Sequence, residues 1–169
     1  MMNQGDQAIN FELPSSMGGN VNLKEYLGKY IVLFFYPKDG TPGCTKEVCS
    51  FRDSFEKFLE FEDVVLFGIS ADGLESHKKF IVKNNLPFEL LSDEKFEVAK
   101  QYGVFEEKKF LKKVINSIVR TTFILNKEGV VQKVFRDVNP NQHAEEVLVE
   151  IANLKKSNEE RESLEEKSF

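Results

Sequence analysis

Four side chains in this sequence carry the sulfur and imidazole needed for nucleophilic, redox or metal chemistry: Cys44, Cys49, His77 and His143. Zinc sites repeat their ligands at short, recognisable spacings, and Cys44-x4-Cys49 with two distant histidines follows no such pattern. A dithiol exchanger of the thioredoxin kind calls for Cys-x-x-Cys, which the x4 spacing does not supply. A cysteine hydrolase needs a histidine base. His77 falls between Leu74 and Ile81 on the inward side of a helical pattern, and His143 falls in the first turn of the last helix, so both read as packing or capping residues. A thiol needs no base where its surroundings already favour the thiolate, and Cys44 is placed for that.

The residues before Cys44 run Tyr-Ile-Val-Leu-Phe-Phe-Tyr from 30 to 36, too short for a helix and rich in strand formers. This is how a strand buried on both faces reads. Pro37 ends it, and Asp39-Gly40 and Pro42-Gly43 are turn chemistry. Val48, Phe51, Phe55, Phe58 and Leu59 then recur at helical spacing, which predicts a helix from about 44 to 61. Cys44 therefore sits at the helix N-terminus, facing unpaired backbone N–H groups and the positive end of the macrodipole. Both stabilise a thiolate. Thr41, three residues earlier, can aim its hydroxyl at a group on the sulfur, although a loop threonine is as readily a turn residue. Arg120 opens an apolar strand, and by composition alone reads as a solvated surface charge.

The remaining pattern supplies the frame. Ile9, Phe11 and Leu13 alternate as a short strand, and Gly18-Gly19-Asn20 turns the chain into Val21–Leu23. Lys24–Leu27 suits one helical turn. Strands are predicted over 64–70 and 88–91, with helices over 74–85 and 96–102 that end at Asn84-Asn85 and Gly103. Residues 104–119 are lysine-rich and show no clear period. Thr121–Leu125 and Val130–Phe135 flank a hairpin loop, and a last helix carries Val147, Leu148, Ile151 and Leu154 on one face. The order implies a mixed sheet with helices on both sides, an α/β fold. A single domain is expected over residues 1–155, followed by a charged tail or helical extension over 156–169.

A net charge of −5 disfavours nucleic acid and anionic membranes as partners. No apolar run approaches a membrane span, and the N-terminal residues lack a signal-peptide pattern, so a cytoplasmic location is expected. In that reducing compartment two cysteines five apart suggest a redox or metal pair rather than a structural staple.

Pro37-x-x-x-Thr41-x-x-Cys44 resembles the active-site motif of the peroxiredoxins. The run Tyr-Pro-Lys-Asp-Gly-Thr-Pro-Gly-Cys-Thr-Lys-Glu-Val-Cys-Ser-Phe-Arg-Asp at 36–53 is similar to the Q-type branch, also called bacterioferritin comigratory proteins. Ser-Ala-Asp at 70–72, Leu-Leu-Ser-Asp at 90–93, Tyr-Gly-Val at 102–104 and Arg-Thr-Thr-Phe at 120–123 extend the likeness over about residues 5–155. Phe105, where the branch often has tryptophan, Ser117, at an often-glycine position, and the acidic tail depart from it.

The resemblance implies a thioredoxin-like fold and a cofactor-free thiol peroxidase acting on hydrogen peroxide and organic hydroperoxides. It implies Cys44 as the peroxidatic nucleophile, Thr41 and Arg120 as the groups holding thiolate and peroxide, and Pro37 as a shield over the sulfur. Gly43 and Glu47 are implied to position substrate, Glu47 by orienting an arginine, and Cys49 to be the resolving cysteine. The implied reductant is thioredoxin or a similar dithiol, and the implied assembly a monomer or weak dimer. A non-enzymatic sensor that relays oxidation to a protein partner would use the same residues. The chemistry agrees with these roles: attack on an O–O bond needs an in-line thiolate and fixed donors for the charge that develops on the leaving oxygen.

Overall fold

The computed structural model describes residues 2–167. In chain order the elements are β1 (Glu12–Pro14), β2 (Asn20–Asn22), a 3-10 turn (Leu23–Tyr26), β3 (Tyr30–Phe35), α1 (Pro42–Asp53), α2 (Phe55–Leu59), β4 (Val64–Ser70), α3 (Leu74–Asn84), β5 (Glu89–Ser92) and α4 (Glu97–Tyr102). The ribbon β6 (Phe105–Phe110) and β7 (Lys113–Ile118) follows, then β8 (Thr121–Leu125), β9 (Val131–Phe135) and α5 (His143–Lys167). The main sheet has the order β5-β4-β3-β8-β9. β3, β4 and β5 are parallel, while β8 runs antiparallel to β3 and β9 antiparallel to β8. This is the mixed sheet with helices expected from the sequence.

β3 is the centre of the core. All six of its residues are buried, and their alternation divides the apolar interior into two layers. Ile31, Leu33 and Phe35 pack with Tyr102, Phe123 and Leu125 on one face. Val32, Phe34 and Tyr36 pack on the other with Phe51, Phe58, Phe80, Val147 and Ile151. Cys44 belongs to this second layer.

Several local expectations change. The helix expected over 44–61 begins at Pro42 and is interrupted at Ser54, whose φ of −97° and ψ of 1° leave the helical region. Proline is tolerated in the first turn, where its missing N–H has no partner to lose. Pairing of the first strand reaches only Glu12–Pro14, so Ile9 lies outside it; Pro14 ends an edge strand, where a lost donor matters little. On α3 the buried positions are His77 and Phe80, with Leu74 and Ile81 half-buried. The unassigned 104–119 is mostly the β6–β7 ribbon, whose outer half is exposed and so carries no core periodicity. α5 continues through Lys167; Asn158, inside the expected extension, donates a hydrogen bond to the Tyr30 hydroxyl. Among the described residues no helix is long and apolar enough to cross a membrane.

Candidate active site

The parallel strand β3 delivers the chain to a loop, and the loop to the N-terminus of α1. Thr41 caps that helix: its Oγ1 accepts the Cys44 N–H at 3.4 Å and donates to the Lys38 carbonyl at 3.2 Å. In this geometry the threonine hydroxyl and the Cys44 amide are bonded to each other. Cys44 lies in the first turn of the helix and is fully buried.

Arg120 reaches this sulfur from the start of β8. Its Nη2 donates to Cys44 Sγ at 3.2 Å, and its Nη1 donates to Glu47 Oε2, also at 3.2 Å. One planar guanidinium thus bridges a thiol and a carboxyl presented one helical turn apart, a geometry that a lysine point charge cannot reproduce. Burial works against the charge on Arg120, but Glu47 and Cys44 outweigh it and raise the pKa. Glu47 responds in the opposite sense to its pairing. Burial pushes its carboxyl up to about 7 despite the arginine beside it. Its Oε1 is buried with no hydrogen-bond partner among the described residues, so only Oε2, held by Arg120, is compensated for the loss of water.

Gly43 makes the approach of Arg120 feasible. A β-carbon at this position would stand 3.2 Å from Arg120 Nη2 and 3.9 Å from Pro140 Cγ. Pro37 is half-buried and lines a cleft of about 260 Å³ with Arg120, Glu106, Lys108 and Asp137. The Arg120 side chain is 16% exposed while the sulfur is sealed, so the guanidinium is the surface through which this site meets solvent. A larger polar cleft, near Tyr30, Lys127 and Lys155, lies at the other end of β3 and contains none of the reactive residues.

Cys49 is half-buried and is a free thiol, as is Cys44. Its Sγ donates to Asn84 Oδ1 at 3.7 Å, and Arg52 Nη1 donates to the Asn84 carbonyl at 2.8 Å, so the end of α3 holds this part of α1. An open groove beside it is lined by Lys46, Asp53, Pro140 and Glu145.

Neither histidine is bonded to a sulfur. His143 sits 2.7 Å from Thr122 Oγ1 and 3.3 Å from Glu146, and burial lowers its pKa. His77 faces Asp39 and the Leu91 carbonyl. The sequence reading put Pro37, Thr41, Gly43, Cys44, Glu47, Arg120 and Cys49 into one set; the fold gathers the first six, while Cys49 faces Asn84 and a separate groove. The same reading took His77 as a packing residue and Asp39 as part of a turn and gave Asp72 no role, yet the three converge from three segments. The signal available was a histidine on the inward face of α3.

The chain as a whole is similar to known proteins. Residues 4–134 match the family model described as the AhpC/TSA family. The chain is 47% identical to peroxiredoxin Bcp of Bacillus subtilis, over 85% of this chain and 91% of that protein. It is 42% identical to the chloroplastic peroxiredoxin Q of Triticum aestivum, over 90% and 68%. Among solved structures, a cysteine-to-serine variant of Xylella fastidiosa PrxQ superposes with a TM-score of 0.84 at 31% identity, covering 92% of this chain and 98% of that one. The peroxidoxin BcpB of Mycobacterium tuberculosis does so with a TM-score of 0.81 at 35% identity, covering 90% and 98%. With its thioredoxin-like sheet and a cysteine held on an arginine at a helix N-terminus, the chain belongs to the AhpC/TSA family as a peroxiredoxin of the Bcp/Q kind, a thiol-dependent peroxidase.

Proposed function

We propose that Cys44 is the peroxidatic cysteine, and that Cys49 resolves its sulfenic acid. The observation that carries this reading is the contact between Arg120 Nη2 and Cys44 Sγ at 3.2 Å, made by a guanidinium that is itself anchored on Glu47. The Cys44 thiolate attacks the outer oxygen of a hydroperoxide and the O–O bond breaks. Sulfur keeps that oxygen as Cys44–SOH, and the other oxygen leaves as alkoxide or hydroxide and takes up a proton. Arg120 supplies a fixed positive fork where that charge develops. Thr41 fixes the helix end, Gly43 admits the arginine, Glu47 orients it, and Pro37 covers the approach.

The Cys49 thiolate then attacks the Cys44 sulfur and expels the hydroxyl as water once protonated, leaving a disulfide. A dithiol of the thioredoxin type returns both cysteines to thiols by exchange, with its own pair becoming the disulfide. Hydrogen peroxide and small organic hydroperoxides are the proposed substrates. A solved relative from Xanthomonas campestris is described in terms of alkyl peroxide reduction. We place the peroxidase unit at residues 1–155, with the charged residues from 156 onward as a tail or extension of it, and the protein in the cytosol, free of nucleic acid and membrane, as a monomer or weak dimer.

The test is peroxide-dependent NADPH consumption with thioredoxin and its reductase. Cys44→Ser should abolish turnover. Cys49→Ser should consume about one equivalent of peroxide and then stall as sulfenic acid or a mixed disulfide. If Cys49→Ser instead removed the first oxidation, the two roles would be reversed.

A further inference from the structure

The loop between β3 and α1 carries both Pro37 and Thr41, and its middle residue turns inward. The Asp39 side chain is only 4% exposed. Its Oδ1 accepts the Tyr36 hydroxyl at 2.6 Å. Its Oδ2 accepts Ser76 Oγ at 2.9 Å and faces His77 Nδ1 at 2.7 Å. The Asp39 N–H donates to Asp72 Oδ2 at 2.8 Å, and that oxygen also accepts the Ser70 hydroxyl.

Both ring nitrogens of His77 are engaged. Nε2 lies 3.0 Å from the Leu91 carbonyl and Nδ1 2.7 Å from Asp39 Oδ2, with the imidazole fully buried. Asp39, Asp72 and His77 bring ligand atoms close enough for a metal ion. Their lone pairs, however, already receive donors from Tyr36, Ser70, Ser76, the Asp39 amide and each other. The cluster reads as a hydrogen-bonded network.

Its output is the active-site loop. Asp39 follows Lys38, whose carbonyl receives the Thr41 hydroxyl; that hydroxyl in turn accepts the Cys44 N–H. We infer that Asp39 and His77 are positioning residues for peroxide reduction, fixing the Pro37–Thr41 loop against Cys44 from the first turn of α3. This inference rests on the reading of Cys44 as the peroxidatic cysteine. The pair touches neither sulfur nor substrate. It acts by holding the wall that a peroxide must fit, whereas attack of Cys44 on a reagent that needs no such wall is unaffected.

That distinction is the test. In a Cys49→Ser background, the second-order rate of Cys44 oxidation by hydrogen peroxide is compared with its alkylation by iodoacetamide. Asp39→Asn and His77→Leu should slow peroxide oxidation by about tenfold to a hundredfold, the scale of a misplaced reacting pair, while alkylation changes by less than about threefold. The double variant should be no slower than the slower single one, because both remove one unit. If His77→Leu does not fold, Asp39→Asn, which keeps the side chain's shape, decides alone. Oxidation rates within about twofold of the parent would overturn the inference, as would oxidation and alkylation falling together. A parent that consumes no peroxide would instead overturn the reading of Cys44, and the inference with it.

Discussion

Replacing Glu47 with glutamine should change how the stability of this protein depends on pH. The carboxyl is fully buried with one oxygen unpartnered, and its pKa rises from 4.5 to about 7. A carboxyl whose pKa is raised in the fold binds its proton more tightly there than in the unfolded chain. Its contribution is complete below about pH 4.5 and is lost as pH rises through about 7. Integrated from about pH 5 to about pH 8, the loss is roughly 2.5 kcal/mol. Glutamine keeps the shape and cannot titrate, and all other groups are common to both proteins. Urea unfolding of the reduced proteins at both pH values should therefore show the wild type losing roughly 2.5 kcal/mol more than Glu47→Gln. With an m-value of about 2 kcal/mol/M, that is a difference of about 1 M between the two shifts in midpoint. Equal pH dependence, or a larger loss in the variant, would refute the reasoning. It would mean that the Arg120 ion pair, rather than desolvation, governs Glu47.

Three further outcomes are expected. Arg120→Lys should slow oxidation of Cys44 by about a hundredfold, since one charge cannot donate to Sγ and Glu47 in the same plane; an unchanged rate would return Arg120 to a purely structural role. Gly43→Ala should separate rate from stability. Its φ is not positive, so alanine can stabilise the helix by about 0.5 kcal/mol, while its β-carbon displaces Arg120 and slows peroxide reduction about tenfold. A rate equal to the wild type would show that the guanidinium gives way at no cost. Finally, Cys44 and Cys49 share α1, which sets their Cα atoms about 8.6 Å apart. A disulfide tolerates about 7 Å, so the oxidised form should exchange amide hydrogens faster over residues 44–51; equal exchange in both forms, with the disulfide confirmed by mass, would exclude unwinding.

The main elements were legible because β3, β4, β8 and the face of α5 bury continuous or periodic apolar residues, and such patterns follow directly from burial. The position of Cys44 was legible for the same reason, since strand, turn residues and helix period meet there. Arg120 was not legible from physics alone. A strand-edge arginine looks the same whether it faces water or a sulfur many residues away, and only the motif resemblance pointed inward. The Ser54 interruption was hidden because Phe51, Phe55 and Phe58 keep helical spacing across it. The Asp39–His77 network was hidden for another reason. Its members come from three segments, and each alone passes for a turn or packing residue.

The backbone of Ser54 serves two helices without joining them: its N–H closes α1 on Ser50, and its carbonyl opens α2 toward Lys57 and Phe58. Cooperative helix loss spreads along an unbroken ladder and halts where the ladder stops. Melting that starts at Cys44 can therefore run to Ser54 and end there, leaving Phe58 seated in the core beside Phe51's former neighbours. The segment from Cys44 to Ser54 is in effect a perforated strip. A defined length can tear free and be pressed back while the rest of the sheet and its helices stay in register.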